Sequence, residues 1–337
     1  MTAVPWSPPV SVLGEHRELS QHDPHLTSQP PLLIEKDDAR TGDSLSRRGL
    51  LLFASMCVIW GIPYLMIRVA VKELAPSVLV FARTGLSALV LLPLAFAQGA
   101  IRPVLARWKP FLLFAFLEIA LPWIFLARAE QKISSSLTAL LIAAVPLIGA
   151  TTALFVGGDD RIDARRAFGL VIGVLGVAAL VGLDLHTTSA LAIVEVGIVA
   201  FGYATGPLVL TRSLSDLPGI GVIAASLGLC AVVYAPAAAV NLPPTFPSFK
   251  VTAAVLGLSL ICTALAFIVF FKLIAEIGPV RSTVITYVNP AVAAVLGVAL
   301  LHEKFTAGMG VGFVLILAGS YLATRRAQKI PAPVTDP

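Results

Sequence analysis

The sequence predicts an all-α integral membrane protein whose ten transmembrane helices form two inverted five-helix repeats. Of its 337 residues, 57% are hydrophobic and 13% charged, with a mean hydropathy of +0.90, well outside soluble globular usage. Ten apolar runs of about 20 residues, each long enough to span a bilayer as a helix, are separated by short charged or Pro/Gly-containing breaks. The last five runs repeat features of the first five at a nearly constant offset.

Residues 1–46 mix Pro, His, Ser and acids without an apolar core. They do not resemble a cleavable signal peptide and read as a flexible cytoplasmic tail. The spans follow near 49–70, 76–97, 110–127, 133–156, 167–184, 188–210, 219–240, 251–275, 279–301 and 307–324. The domain reading is a first five-span repeat over 47–184, a second over 185–326 and a C-terminal cytoplasmic tail over 327–337. The tail's seven acids and three bases give it −4, so the net +5 of the chain leaves +9 for the membrane region. That charge is explained by loop orientation, with no nucleic-acid partner required. With the N-terminus inside, fourteen Lys and Arg fall on the cytoplasmic side and six on the other, so both termini are expected in the cytoplasm.

Pro146 matches Pro290, and Arg128 matches Lys272, at an offset of 144; after a one-residue gap Asp160 matches Glu303, Gly169 matches Gly312 and Gly176 matches Gly319. Five spans is an odd number, so the second unit must enter the membrane upside down, the inverted repeat common among secondary transporters. The two prolines are expected to kink spans 4 and 9 at equivalent points, shaping a site near the midplane. Around Pro290 stand Thr283, Thr286, Tyr287 and Asn289, where span 4 has Ala139, Ile142, Ala143 and Val145. Those polar groups suit either a binding surface or plain helix-to-helix hydrogen bonds.

Three ionisable residues lie well inside spans: Arg83, Glu118 and Glu195. Arg83 lies at a depth similar to that of Glu195, with Glu118 a few ångströms deeper, and is a candidate ion-pair partner for one of the two acids. Arg68, Arg128 and Lys272, near span ends, are expected to snorkel to the interface. The pairs Gly169/Gly173 and Gly308/Gly312 permit close helix approach, to join the halves, to support a homodimer or to pack locally, with local packing the expected use; the oligomeric state stays open. Cys57, Cys230 and Cys262 sit in apolar runs and read as small buried hydrophobes. No metal cluster or cofactor motif is expected.

Trp60-Gly61, the phrase AEQKISSSLTALLIAAVPL, and VITYVNPAVAAVLGVALLHEKF followed by GFVLILAGS resemble the EamA-type transporters of the drug/metabolite transporter superfamily. The resemblance covers nearly the whole membrane region. It implies a carrier of the bacterial inner membrane that exports small metabolites or drugs through a cavity lined by spans 1, 3, 4, 6, 8 and 9. On that picture Glu118 and Glu195 face the cavity and bind a cationic substrate or couple proton entry to its exit, while Arg83 stands outside as a structural partner. Trp60, Trp123, Tyr203, Thr286, Tyr287 and Asn289 complete the expected contacts, the aromatics suiting amphipathic or cationic molecules. Two other classes remain. Asp159–Asp163 (DDRID) matches the magnesium-diphosphate motif of prenyl-transferring enzymes, without a second acidic cluster to complete it. A membrane receptor or scaffold without transport is the other.

Overall fold

The computed structural model describes residues 46–155, 164–182 and 189–324, all within the unit Leu45–Pro337. Every regular element among them is helical. Nine helices there are long and apolar enough to cross a membrane: Arg47–Ala70 (span 1), Pro76–Ala97 (span 2), Trp108–Glu130 (span 3), Ser135–Thr152 (span 4), Ala164–Gly182 (span 5), Ala190–Ser213 (span 6), Gly219–Val240 (span 7), Phe249–Ile277 (span 8) and Ala307–Thr324 (span 10). A shorter apolar helix, Ile285–Leu301, preceded by the turn Pro279–Ser282, is span 9. The expected tails and the Asp159–Asp163 motif lie outside the described residues.

Local chemistry sets the span ends. Ser46, Ser134 and Ser248 cap spans 1, 4 and 8 by accepting the amides of Gly49 (2.9 Å), Leu137 (3.2 Å) and Val251 (3.4 Å). Pro76 opens span 2, where its missing N–H costs nothing. Gly278 ends span 8 at φ 82, a conformation that favours glycine. The ten spans alternate in direction, so Arg47 and Thr324 lie at one end of the bundle, called here the termini end; the opposite end is the far end.

The packing obeys an approximate two-fold relation between the halves. Span 2 packs on span 7, span 4 on span 9 and span 5 on span 10, while span 1 packs on span 8 as span 6 packs on span 3. Each of these contacts maps onto itself or onto another when five is added to the span number. Surface bonds follow the same relation. At the far end Glu73 accepts the amide and hydroxyl of Ser248 (2.7 Å each), and at the termini end Arg107 makes a two-pronged pair with Asp216 (2.5 and 2.7 Å).

Of the glycines singled out in the sequence, Gly173 packs within its own repeat, where a methyl would overlap Leu147 of span 4, while Gly169 and Gly312 join the two repeats. A methyl added at Gly169 would lie 2.6 Å from the Ala323 nitrogen, and one at Gly176 would lie 2.7 Å from the Ile316 nitrogen, so spans 5 and 10 touch backbone to backbone. Gly312 and Gly319 face them from span 10. Lipid offers little hydrophobic drive for helices to associate, and dispersion contact at small residues supplies it here.

The equivalent kinks expected at the prolines are not equivalent in the structure. Span 4 breaks into Ser135–Ile142 and Val145–Phe155, directly before Pro146, whereas Pro290 lies inside the continuous helix Ile285–Leu301 and span 9 breaks earlier, at Thr283 and Val284. Asn289 supplies a physical reason: its amide, oriented to satisfy both contacts, donates to the Ile285 carbonyl (3.0 Å) and the Cys57 carbonyl (3.1 Å). These bonds hold the turn ahead of Pro290 against span 1. The matched distortion occurs in spans 3 and 8, where Phe116–Ala120 and Gly257–Leu265 are π-helical. Adding the offset of 144 to 116–120 gives 260–264, inside the second stretch.

Candidate functional site

The π turn of span 3 is built by Pro122. Having no N–H, it cannot bond the Glu118 carbonyl, and the Leu121 N–H instead reaches back to the Phe116 carbonyl. The widened turn presents Glu118 to span 6. There Gly206 leaves room: a methyl on it would lie 3.2 Å from Glu118 Cβ and would overlap the carboxylate. Gly202, one turn earlier, likewise admits the Leu117 carbonyl and the Pro122 ring. Glu118 is half-buried, with Oε2 fully buried and without a hydrogen-bond partner.

Above Glu118, toward the far end, Trp123 is buried and Tyr203 packs against the same cluster from span 6. Arg83 of span 2 lies over the Trp123 ring, 3.5 Å from its centroid, and donates through Nε to Thr263 Oγ1 at 3.0 Å. Thr263 belongs to the π turn of span 8 and donates to the Leu258 carbonyl (2.8 Å), while Ser87 of span 2 donates to the Ser259 carbonyl (2.8 Å). Arg83 therefore braces span 2 against spans 3 and 8. The expected ion pair between Arg83 and Glu118 or Glu195 does not form, because the arginine is directed to the π turn and the indole face.

Midway along span 1, Trp60 sits at the break between Arg47–Ile59 and Ile62–Ala70, half-buried. It packs on Phe270 (4.7 Å between centroids) and Phe267 (6.0 Å), and Phe271 stacks behind Phe267 at 6.4 Å. Glu118, Tyr203, Trp123 and this aromatic row are thus collected between spans 1, 3, 6 and 8. Tyr287 and Pro146 are half-buried on spans 9 and 4.

Other expected site residues have different employment. Glu195 is 1% exposed and paired with Arg128 Nε (2.8 Å) and Lys132 Nζ (3.0 Å), so Arg128 tethers spans 3 and 6 instead of merely snorkelling. Thr286 is exposed and donates its hydroxyl to the carbonyl of Thr283 in the break just before its helix (2.7 Å). Asn289 is spent on the backbone of spans 1 and 9.

Two acids at the far end were missed by the sequence reading. Glu303 accepts four hydrogen bonds at the start of span 4, from the amides of Ser135 and Ser136 (2.9 Å each) and their hydroxyls (2.9 and 2.5 Å). Burial pushes the Glu303 carboxyl up, but the bonds from Ser136 and Ser135 outweigh it and hold its pKa below the ordinary carboxylate value. Glu130, the last residue of span 3, is fully buried with neither carboxylate oxygen hydrogen-bonded. It stood in a stretch read as loop, and Glu303 had drawn notice only as a repeat match. The Gly202-x-x-x-Gly206 spacing was legible, being the spacing already noted in spans 5 and 10.

Tyr64, Glu130, Ser135, Ser136 and Glu195 are buried toward the far end, while Trp60, Glu118, Pro146, Tyr203 and Tyr287, nearer the middle of the bundle, are half-buried. A duplicated, inverted helical bundle with an unpaired acid and an aromatic surface between its halves defines a membrane carrier. The profile of the EamA-like transporter family matches residues 47–182 and 191–325, and the chain belongs to that family. It is 27% identical over 295 residues to the uncharacterized inner membrane transporter YedA of Escherichia coli, covering 84% of this chain and 94% of that one. An uncharacterized transporter of Archaeoglobus fulgidus is 24% identical (82% and 97% covered), and the uncharacterized transporter YvbV of Bacillus subtilis is 23% identical (85% and 95%). One crystal structure superposes with a TM-score of 0.60 at 18% identity over 82% of this chain and 96% of that one, a likeness of fold.

Proposed function

We propose that this membrane transporter exports small amphipathic or cationic molecules by alternating access, from a site between spans 1, 3, 6 and 8. Both termini face the cytoplasm on this reading, by the Lys/Arg asymmetry, and the membrane is an inner membrane like that of the Escherichia coli relative. The outer end then holds the buried residues Glu130, Ser135, Ser136 and Glu195. Glu118 carries the reading: an intramembrane carboxyl, seated against Gly206 and without a basic partner in its π turn, is available to a ligand. The neighbouring Trp60 and phenylalanines suit the apolar part of such a ligand and the face of a cation.

The test is a thermal-shift screen of amphipathic cations and zwitterions on purified protein, repeated on Glu118→Gln. A bound ligand stabilises by mass action, and a hundredfold excess over Kd contributes about 2.7 kcal/mol. Compounds that stabilise the wild type should lose most of their effect on Glu118→Gln. Undiminished shifts in the variant would remove Glu118 from the site.

A further inference from the structure

We propose that Glu130 is a proton-binding site: its carboxyl carries a proton while the far end is closed and releases it to water when that end opens. The inference rests on the transporter reading above and assigns its coupling ion.

The observation is a contrast among three far-end acids. Glu195, as deeply buried, has two cations and the half-buried Glu303 has four donors, yet Glu130, fully buried, has no donor on either oxygen. The groups facing it from each neighbouring element are few. Span 1 contributes Tyr64 and Arg68, span 2 Arg83, span 6 Tyr203, and the segment before span 10 Glu303. Span 4 carries no titratable residue. Arg68 donates to the main-chain carbonyl of Glu130, and Arg83 is committed to Thr263 and Trp123. Glu303, held as a carboxylate by the serines, opposes a second negative charge nearby. A neutral acid at Glu130 removes both the repulsion and the cost of a buried carboxylate without donors.

The linkage to conformation follows from where Glu303 is held. Its bonds to Ser135 and Ser136 join the second repeat to the first across the far end, and Gly297 of span 9 lets that contact form, since a methyl there would lie 3.0 Å from Ser135 Oγ. When the contact parts, the opposing carboxylate leaves and water enters. The O–H bond of Glu130 then breaks, its proton passes to water, the electron pair stays on the carboxylate, and the guanidinium of Arg68 becomes the counter-ion. Closing the far end reverses each step.

Two measurements on the full chain test this without a known substrate. Infrared difference spectroscopy at neutral pH should show a protonated-carboxyl stretch that Glu130→Gln removes in part and that survives in Glu118→Gln; a spectrum unchanged by Glu130→Gln would mean an ionised pair with Arg68 and overturn the proposal. Spin labels at the exposed positions Gln131 and Ala307, read by pulsed electron resonance, should report far-end opening that rises with pH, by at most about tenfold per unit for one proton. Glu130→Gln, a fixed mimic of the protonated acid, should stay closed throughout. The same pH response in that variant would also overturn the assignment. Neither readout involves a transported molecule, so a ligand screen that finds nothing counts against the transport reading alone.

Discussion

Replacing Gly206 by alanine should expose how tightly spans 3 and 6 enclose Glu118. The new methyl would sit 3.2 Å from Glu118 Cβ and 3.4 Å from its Cα, and it would overlap the carboxylate. Two terms oppose each other. Alanine is favoured over glycine in a helix interior by about 0.5–1 kcal/mol, while overpacking a well-filled contact costs about 1–3 kcal/mol. Net destabilisation of about 0.5–2 kcal/mol is expected. In a Glu118→Ala background the carboxylate is gone and only the contact at Cβ remains, so the same substitution should become nearly neutral or stabilising. The resulting coupling is about 1–2 kcal/mol, above the ~0.3–0.5 kcal/mol within which distant sites add. Reversible denaturation of the four proteins of the cycle in detergent micelles measures it. Additive effects would mean that Glu118 does not rest on Gly206, and the argument for a carboxyl held between spans 3 and 6 would fail.

Gly176→Leu should lower stability by more than about 1–3 kcal/mol, because the Ile316 backbone 2.7 Å from its first methyl cannot yield as a side chain would, and thermal unfolding reads the loss. Glu303→Gln should destabilise the protein in a pH-dependent way: the depressed carboxyl of the wild type adds stability above the unfolded pKa near ~4.3 and loses it as pH falls through the lower folded value. The melting difference between the two proteins should therefore be full at neutral pH and shrink in acid; a constant difference would argue against an ionised Glu303. In a cysteine-free background, Thr245→Cys, exposed between spans 7 and 8, should react with an impermeant reagent in intact cells and Ala164→Cys should not. The reverse pattern would invert the topology.

The fold was legible because it depends on quantities that sequence carries locally. A run of about 20 apolar residues must be helical in lipid to satisfy its own backbone, so all ten spans were readable, and the spacing of Pro146/Pro290 and Gly169/Gly312 exposed the duplication. Glu118 as a central acid of span 3 was also legible. Partnership was not. Which cation meets Glu195, whether Arg83 faces an acid or an indole, and which glycines touch across the halves depend on rotation about each helix axis and on distances between segments 60 to 180 residues apart. Lipid makes this harder, since an apolar face turned to lipid and one turned to protein have the same composition. The π turns show the limit most clearly. Pro122 marks the one in span 3, but nothing in the span 8 sequence announces its counterpart, which arises where Ser87 and Arg83 of span 2 bind Ser259 and Thr263. Glu130 became noticeable only when the bundle closed over it and left its carboxyl without a donor, a property of the packed structure that no local pattern encodes.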